Sequence, residues 1–175
     1  MPFYTIQENN LLRADKQESL TRFYSNVLPL PDDYEQGKYI VVDNELVLNP
    51  EWSDIELNNI KENKILENDT KRDEALNKGV TYKGVLFDSD TDQKVNLLAI
   101  VSTMDDEDTI IWYGKDNQPL ECNKEDLINI GGLITQLHTY CWNKNALYKA
   151  EINNASTVTE IEDIIITYVL LPIEE

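Results

Sequence analysis

The sequence predicts an α+β fold: a small N-terminal β-hairpin module, a charged connecting helix, and a C-terminal α+β domain whose short hairpins pack on a long amphipathic helix. Three observations predict it. Runs of β-branched and apolar residues flank Asn- and Asp-bearing turns, as hairpins require. Residues 52–78 hold neither Gly nor Pro. From Leu127 onward, apolar residues recur at helical spacing for about six turns.

In chain order, Phe3–Ile6 and Leu11–Leu12 flank Glu8-Asn9-Asn10, a tight turn. Tyr39–Val42 and Leu46–Leu48 flank Asp43-Asn44 in the same way. Between them, Pro29-Leu30-Pro31-Asp32-Asp33 excludes a helix interior. These residues, 1–50, are too few to bury much alone, and they call for a partner surface, either the rest of the chain or another protein. Residues 51–71 are the connecting helix, with Ser53 and Glu56 spaced as a capping box. Its apolar positions, Ile55, Ile60, Ile65, Leu66, Ala75 and Leu76, form a ragged stripe. That stripe suits an exposed spacer or one strand of an oligomeric coil, with a break near Asn68-Asp69. Gly79 supplies the stop.

Residues 72–175 form the second domain. Val80–Phe87 reads as a bent strand or hairpin around Gly84. Asp90–Gln93 caps a helix carrying Val95, Leu98, Ala99 and Val101. Thr109–Tyr113 and Pro119–Cys122 flank a Lys115-Asp116-Asn117 turn. Asn123 caps the long helix, with Asp126 at its positive end. Leu127, Ile130, Ile134, Leu137, Cys141 and Tyr148 form its apolar stripe, widened by Leu133, Ala146, Leu147 and Ile152. Gly131-Gly132 inside it implies close approach of another backbone, since each glycine costs about 1 kcal/mol against Ala. Thr157–Glu160 caps a short helix, and Ile164–Leu171 reads as a strand.

The chain carries 33 acidic and 15 basic side chains, a net charge of −18. Such a balance excludes binding nucleic acid through phosphates or docking on anionic lipid. The amino end lacks the basic and apolar regions of a secretory signal, and the longest apolar run falls far short of a bilayer span, so a reducing cytoplasm is the expected location. Cys122 and Cys141 make a poor disulfide framework for this length, and Cys141, in an apolar helical pattern, reads as a buried reduced thiol. The 18 Asn, 17 Ile and 12 Lys against 3 Arg are what an AT-rich genome writes.

Chemistry is sparse. Asp88–Asp92 resembles the start of a calcium loop, but Gln93 and Ala99 stand where that loop needs Gly and Glu. His138 is the single histidine, placed three residues before Cys141 on one helix face with no oxyanion hole in view. No phosphate-binding glycine loop or Gly-x-Ser-x-Gly elbow occurs. The sequence therefore predicts no catalytic, metal-binding or cofactor-binding residues, and no enzyme. Of the three tryptophans, Trp112 reads as core, and Trp52, beside Pro50, as the most exposed; Trp142 fits either side.

From Lys71 to about Glu162 the order of features resembles a domain of unknown function found at the carboxyl end of tailed-phage proteins, many of them tail-fibre-assembly-like or tail-associated. Arg72, Gly79-Val80-Thr81-Tyr82-Lys83-Gly84, Phe87-Asp88, Ile111-Trp112, Leu127, His138, Tyr140–Trp142 and Lys149–Ile152 carry the resemblance. It implies a phage setting and a tail-related role: a non-enzymatic assembly chaperone for a tail fibre, or a minor structural component. The implied partner is a phage tail or fibre protein, with the host cytoplasm or the virion tail as location and self-association left open. The alternative is an acidic inhibitor that mimics nucleic acid toward a basic host nuclease of a nucleic-acid-guided defence. From residue 80 onward 17 acidic residues face 6 basic ones, which favours it.

Overall fold

The computed structural model describes residues 2–169 and is mixed α+β. The chain forms two compact units, Met1–Asn58 and Asn59–Glu175.

The first unit is built from two hairpins. β1 (Phe3–Gln7) pairs with β2 (Asn10–Ala14), and β4 (Tyr39–Val42) pairs with β5 (Glu45–Leu48). Both turns are two residues long, with positive φ at Glu8 and Asn9 and at Asp43 and Asn44. Two consecutive left-handed residues give the turn whose twist matches that of the strands, and Asn and Asp tolerate that conformation. Two elements go beyond the sequence reading: a one-turn helix α1 (Gln17–Thr21), and β3 (Leu28–Pro29), which extends the sheet to the order β2-β1-β3. Within the described residues of this unit only Leu20 and Leu30 are buried apolar side chains.

Helix α2 (Trp52–Asn77) runs through Asn68-Asp69 without the expected break. Ser53 lies inside it. The chain enters through Pro50, and the Asn49 side chain accepts from the Glu51 N–H. The two units divide at Asn58, earlier in α2 than the sequence reading placed the boundary.

The second unit is organised along α4 (Lys124–Asn154). Asn123 and Asp126 form a reciprocal capping box at its start, as Thr157 and Glu160 do for α5 (Val158–Glu162). Hairpins β6–β7 (Val80–Tyr82, Val85–Phe87) and β8–β9 (Thr109–Tyr113, Pro119–Asn123) and helix α3 (Thr91–Thr103) gather around its first half. There Leu127, Ile130 and Ile134 pack with Phe87, Leu97, Met104 and Cys122. Gly79 turns α2 into β6 at φ +78°, where an added Cβ would strike the Phe87 carbonyl. Along its second half, Leu137, Cys141, Tyr148 and Ile152 pack with Ala75 of α2 and with Ile164, Ile166 and Tyr168.

Four expectations are corrected here. Ile164–Val169 alternates buried and exposed as a strand would, yet it pairs with no strand; Leu170 and Leu171 lie outside the described residues. Its main chain bonds to side chains instead. The Tyr148 hydroxyl donates to Thr167 O and accepts from Thr167 N, and Lys71 Nζ donates to Ile166 O. Gly131 and Gly132 meet no neighbouring backbone; a Cβ on either would touch nothing within 4 Å. On α3, Leu97 faces the core while Val95 and Leu98 point outward. On α4, Leu147 is exposed rather than widening the stripe.

Candidate functional site

Among the described residues of the second unit, the buried polar side chains other than the Trp112 indole are engaged in hydrogen bonds. The largest network joins α2, α4 and the extended segment. Fully buried Asn68 donates to Asn145 O and accepts from the Tyr168 hydroxyl at 2.7 Å. Asn145 donates to Asp69, which also receives Lys149 at 2.8 Å and Arg72 at 2.9 Å. Burial pushes the Asp69 carboxyl up, but the hydrogen bonds from Lys149 and Asn145 outweigh it and hold the group below its usual range. Arg72 then lies over the Trp142 ring, 4.4 Å from its centre, a cation–π contact. This stretch of α2, sparse in apolar residues, thus docks by polar contacts beside the packing of Ile65, Ala75 and Leu76. It is not the exposed spacer that its stripe suggested.

A second network sits at the head of α4. Tyr82 and Lys83 reach Asp126 Oδ1 at 2.8 and 2.7 Å, while Asp126 Oδ2 accepts from the Asn123 N–H. Burial acts upward on this carboxyl as well, and Lys83 and Tyr82 reverse it, leaving it lowered. The arrangement staples β6 and its turn to the start of the helix.

His138 has both ring nitrogens occupied. Nε2 lies 2.6 Å from Ser89 O, which only accepts, so Nε2 carries the proton. Nδ1 at 2.9 Å from Lys94 Nζ is then the acceptor. No lone pair is left for a metal or a base. Cys122 and Cys141 are buried and free, and burial raises both thiols. Asp88 pairs with Lys115, and Asp90 caps α3. Among the described residues no three metal-ligating side chains come together, and no helix is long and apolar enough to cross a membrane. Trp112 packs on the core around the first half of α4, as expected, with its buried Nε1 unpartnered; Trp52 is half-buried against Gly37, and Trp142 takes Trp52's expected place as the most exposed tryptophan.

The open surface lies elsewhere. In the first unit a cleft of about 740 Å³ separates the two hairpins, lined in part by Ile6, Glu8, Leu28, Glu45 and Leu46. The hairpin tips are joined, the Asn9 N–H donating to Asn44 Oδ1 at 2.9 Å and the Asn44 N–H to Asn9 Oδ1 at 2.8 Å. In the second unit a smaller groove of about 260 Å³ runs between α3 and α4, over Leu98, Ile128 and Gly131. Sequence reasoning reached neither. Both are made by residues distant in sequence, and the hint was only that the amino-terminal residues looked too few to close on themselves.

Such a molecule is an α+β protein whose buried charged groups are paired and whose larger cleft lies in a thinly cored amino-terminal unit. Residues 59–166 match the family described as "Domain of unknown function (DUF4376)", and the chain belongs to that family. The match begins at the first residue of the second unit and contains the polar network around Asp126 and all of the one around Asn68 except Tyr168. No curated protein and no solved structure matches the chain significantly.

Proposed function

We propose that the chain is a non-enzymatic, protein-binding component of a tailed bacteriophage, acting at the tail as an assembly chaperone for a fibre or as a minor structural part. The observation that carries this reading is the first unit. It buries Leu20 and Leu30 but leaves Phe23, Val42 and Leu48 exposed, and Leu28 exposed on the lining of an open cleft, the pattern of a surface that another polypeptide completes. The engaged state of His138, Asp69 and Asp126 supports a role without catalysis. The phage and tail setting rests on the resemblance of the Arg72–Ile152 features. The chain would act in the host cytoplasm and, as a structural part, in the virion. Affinity capture of the full chain from infected cells, with mass spectrometry of purified virions, tests it: a tail protein should co-purify. Absence from virions together with no bound tail protein rejects the reading.

An acidic decoy for a basic host nuclease is the second reading. The exposed turn Asp105-Asp106-Glu107-Asp108 favours it, because four adjacent carboxylates on one loop can stand in for phosphates. Unchanged cleavage by nucleic-acid-guided nucleases at large excess of the protein removes it.

A further inference from the structure

The alternation of hydrogen bonding along an antiparallel pair fixes which main-chain groups of the first unit are free. In the β1–β2 hairpin, Gln7 and Asn10 close the two-residue turn, so Gln7 and Thr5 bond toward β2 and the N–H and C=O of Ile6 point the other way. On that side β3 reaches only Phe3 and Tyr4. Ile6 therefore presents an unpaired strand edge. In the β4–β5 hairpin, Val42 and Glu45 close the turn, and by the same alternation the N–H and C=O of Leu46 point away from β4. Ile6 and Leu46 line the same cleft. The reciprocal Asn9–Asn44 hydrogen bonds tie the two hairpin tips to each other beside it.

Unpaired main-chain groups on two sides of one cleft are matched by another main chain, which offers donors and acceptors on both of its edges. The surroundings narrow the choice further. Leu28 is an exposed apolar side chain on the lining, and no Lys or Arg lines the cleft, whereas Glu8 and Glu45 do. The whole unit carries eleven acidic and four basic side chains. We propose that the edges of Ile6 and Leu46 take up an extended, neutral-to-basic segment of a partner polypeptide as an added β-strand, which joins the two hairpins into one sheet. The inference rests on the protein-binding reading above and names the partner segment by its chemistry.

A library of random twelve-residue peptides displayed on a carrier and selected on the full-length chain is the test, with selected peptides then synthesised and their binding followed by fluorescence anisotropy. Enriched sequences should alternate apolar or β-branched residues with polar ones, and should carry more Lys and Arg than Asp and Glu. Methylating alternate backbone nitrogens of such a peptide should weaken binding at least tenfold, since it removes the donors on one edge. Leu46→Pro and Ile6→Pro should do the same from the protein side. Each removes an N–H that the hairpin ladder does not use, and a circular dichroism melt checks that the unit stays folded. The methylated peptides probe the unaltered chain, so they decide even if a proline variant unfolds. Absence of any enriched pattern overturns the proposal, as does undiminished binding of the methylated peptides. A concentration-dependent dimer that Leu46→Pro dissociates would assign the edge to a second copy and overturn it as well. If a tail protein is captured equally by Leu46→Pro, the strand proposal falls while the protein-binding role stands.

Discussion

At Asp126 one carboxylate links the first turn of α4, the turn after β6 and the hairpin tyrosine. Its acidity sets a direction for the dependence of stability on pH. Burial pulls this carboxyl up, and Lys83 and Tyr82 reverse it, holding the folded-state value below that of a free aspartate. A carboxyl lowered on folding contributes stability above its unfolded value, and loses it as the pH falls through the folded value. Asp126→Asn should therefore cost about 1.5–3 kcal/mol near neutral pH, the range for hydrogen bonds to a charged group. The variant and parent curves should converge in acid, below about pH 4, in urea melts taken across the pH range. Equal destabilisation at every pH would mean that packing, not charge, is what the residue supplies. This site was half legible in the sequence. Asn123 and Asp126 have cap spacing, which is local, whereas Lys83 arrives from 43 residues earlier. Asn68 and Asn145 were not legible at all. An apolar periodicity passes over a buried amide, and nothing local distinguishes an Asn that will be enclosed from one that will face water.

The two long helices show why one element was readable and the other was not. On α4 the apolar stripe does the docking, so its period announces its buried face. On α2 only Ile65, Ala75 and Leu76 pack in the apolar cluster, and the other contacts with α4 run through Asn68, Asp69, Arg72 and Lys61, the last donating to Asn153 O. Its polarity therefore looked like solvent exposure and like a break. The glycine pair of α4 was visible, but its reason was misjudged: no backbone approaches it. Gly132→Ala should then stabilise the chain by about 1 kcal/mol in a denaturant melt, because the added methyl meets open space and the helix loses a flexible residue. Destabilisation would mean that a contact forms there in solution. Gly131→Ala should be stabilising too, while narrowing the groove between α3 and α4.

For the whole molecule, the α+β class and the order of hairpins and helices were legible, because turn residues and caps are local signals. The part of α2 that docks was not, because its contacts reach residues distant in sequence. Residues 59–71 carry Lys61, Ile65, Asn68 and Asp69, all engaged within the second unit. A fragment of residues 59–175 should therefore be soluble and melt cooperatively, whereas one of residues 72–175 should melt at a clearly lower temperature or not cooperatively. Removing Asn68 strands the buried Tyr168 hydroxyl without its acceptor, at about 1–3 kcal/mol, and takes away a second donor from the Asn145 carbonyl. Equal melts for the two fragments would return the boundary to residue 72.

The hydroxyl of Tyr168 reaches the amide of Asn68 across 100 residues of chain. During synthesis, α2, both hairpins and α4 can all emerge while that amide still lacks its partner. Until Tyr168 has left the ribosome, the nascent second unit holds a buried acceptor unmatched and the lower part of its core uncovered. Any chain halted earlier is left with an unfinished seam that proteolysis can recognise, so the cell's own turnover machinery would sort complete copies from interrupted ones at this one contact.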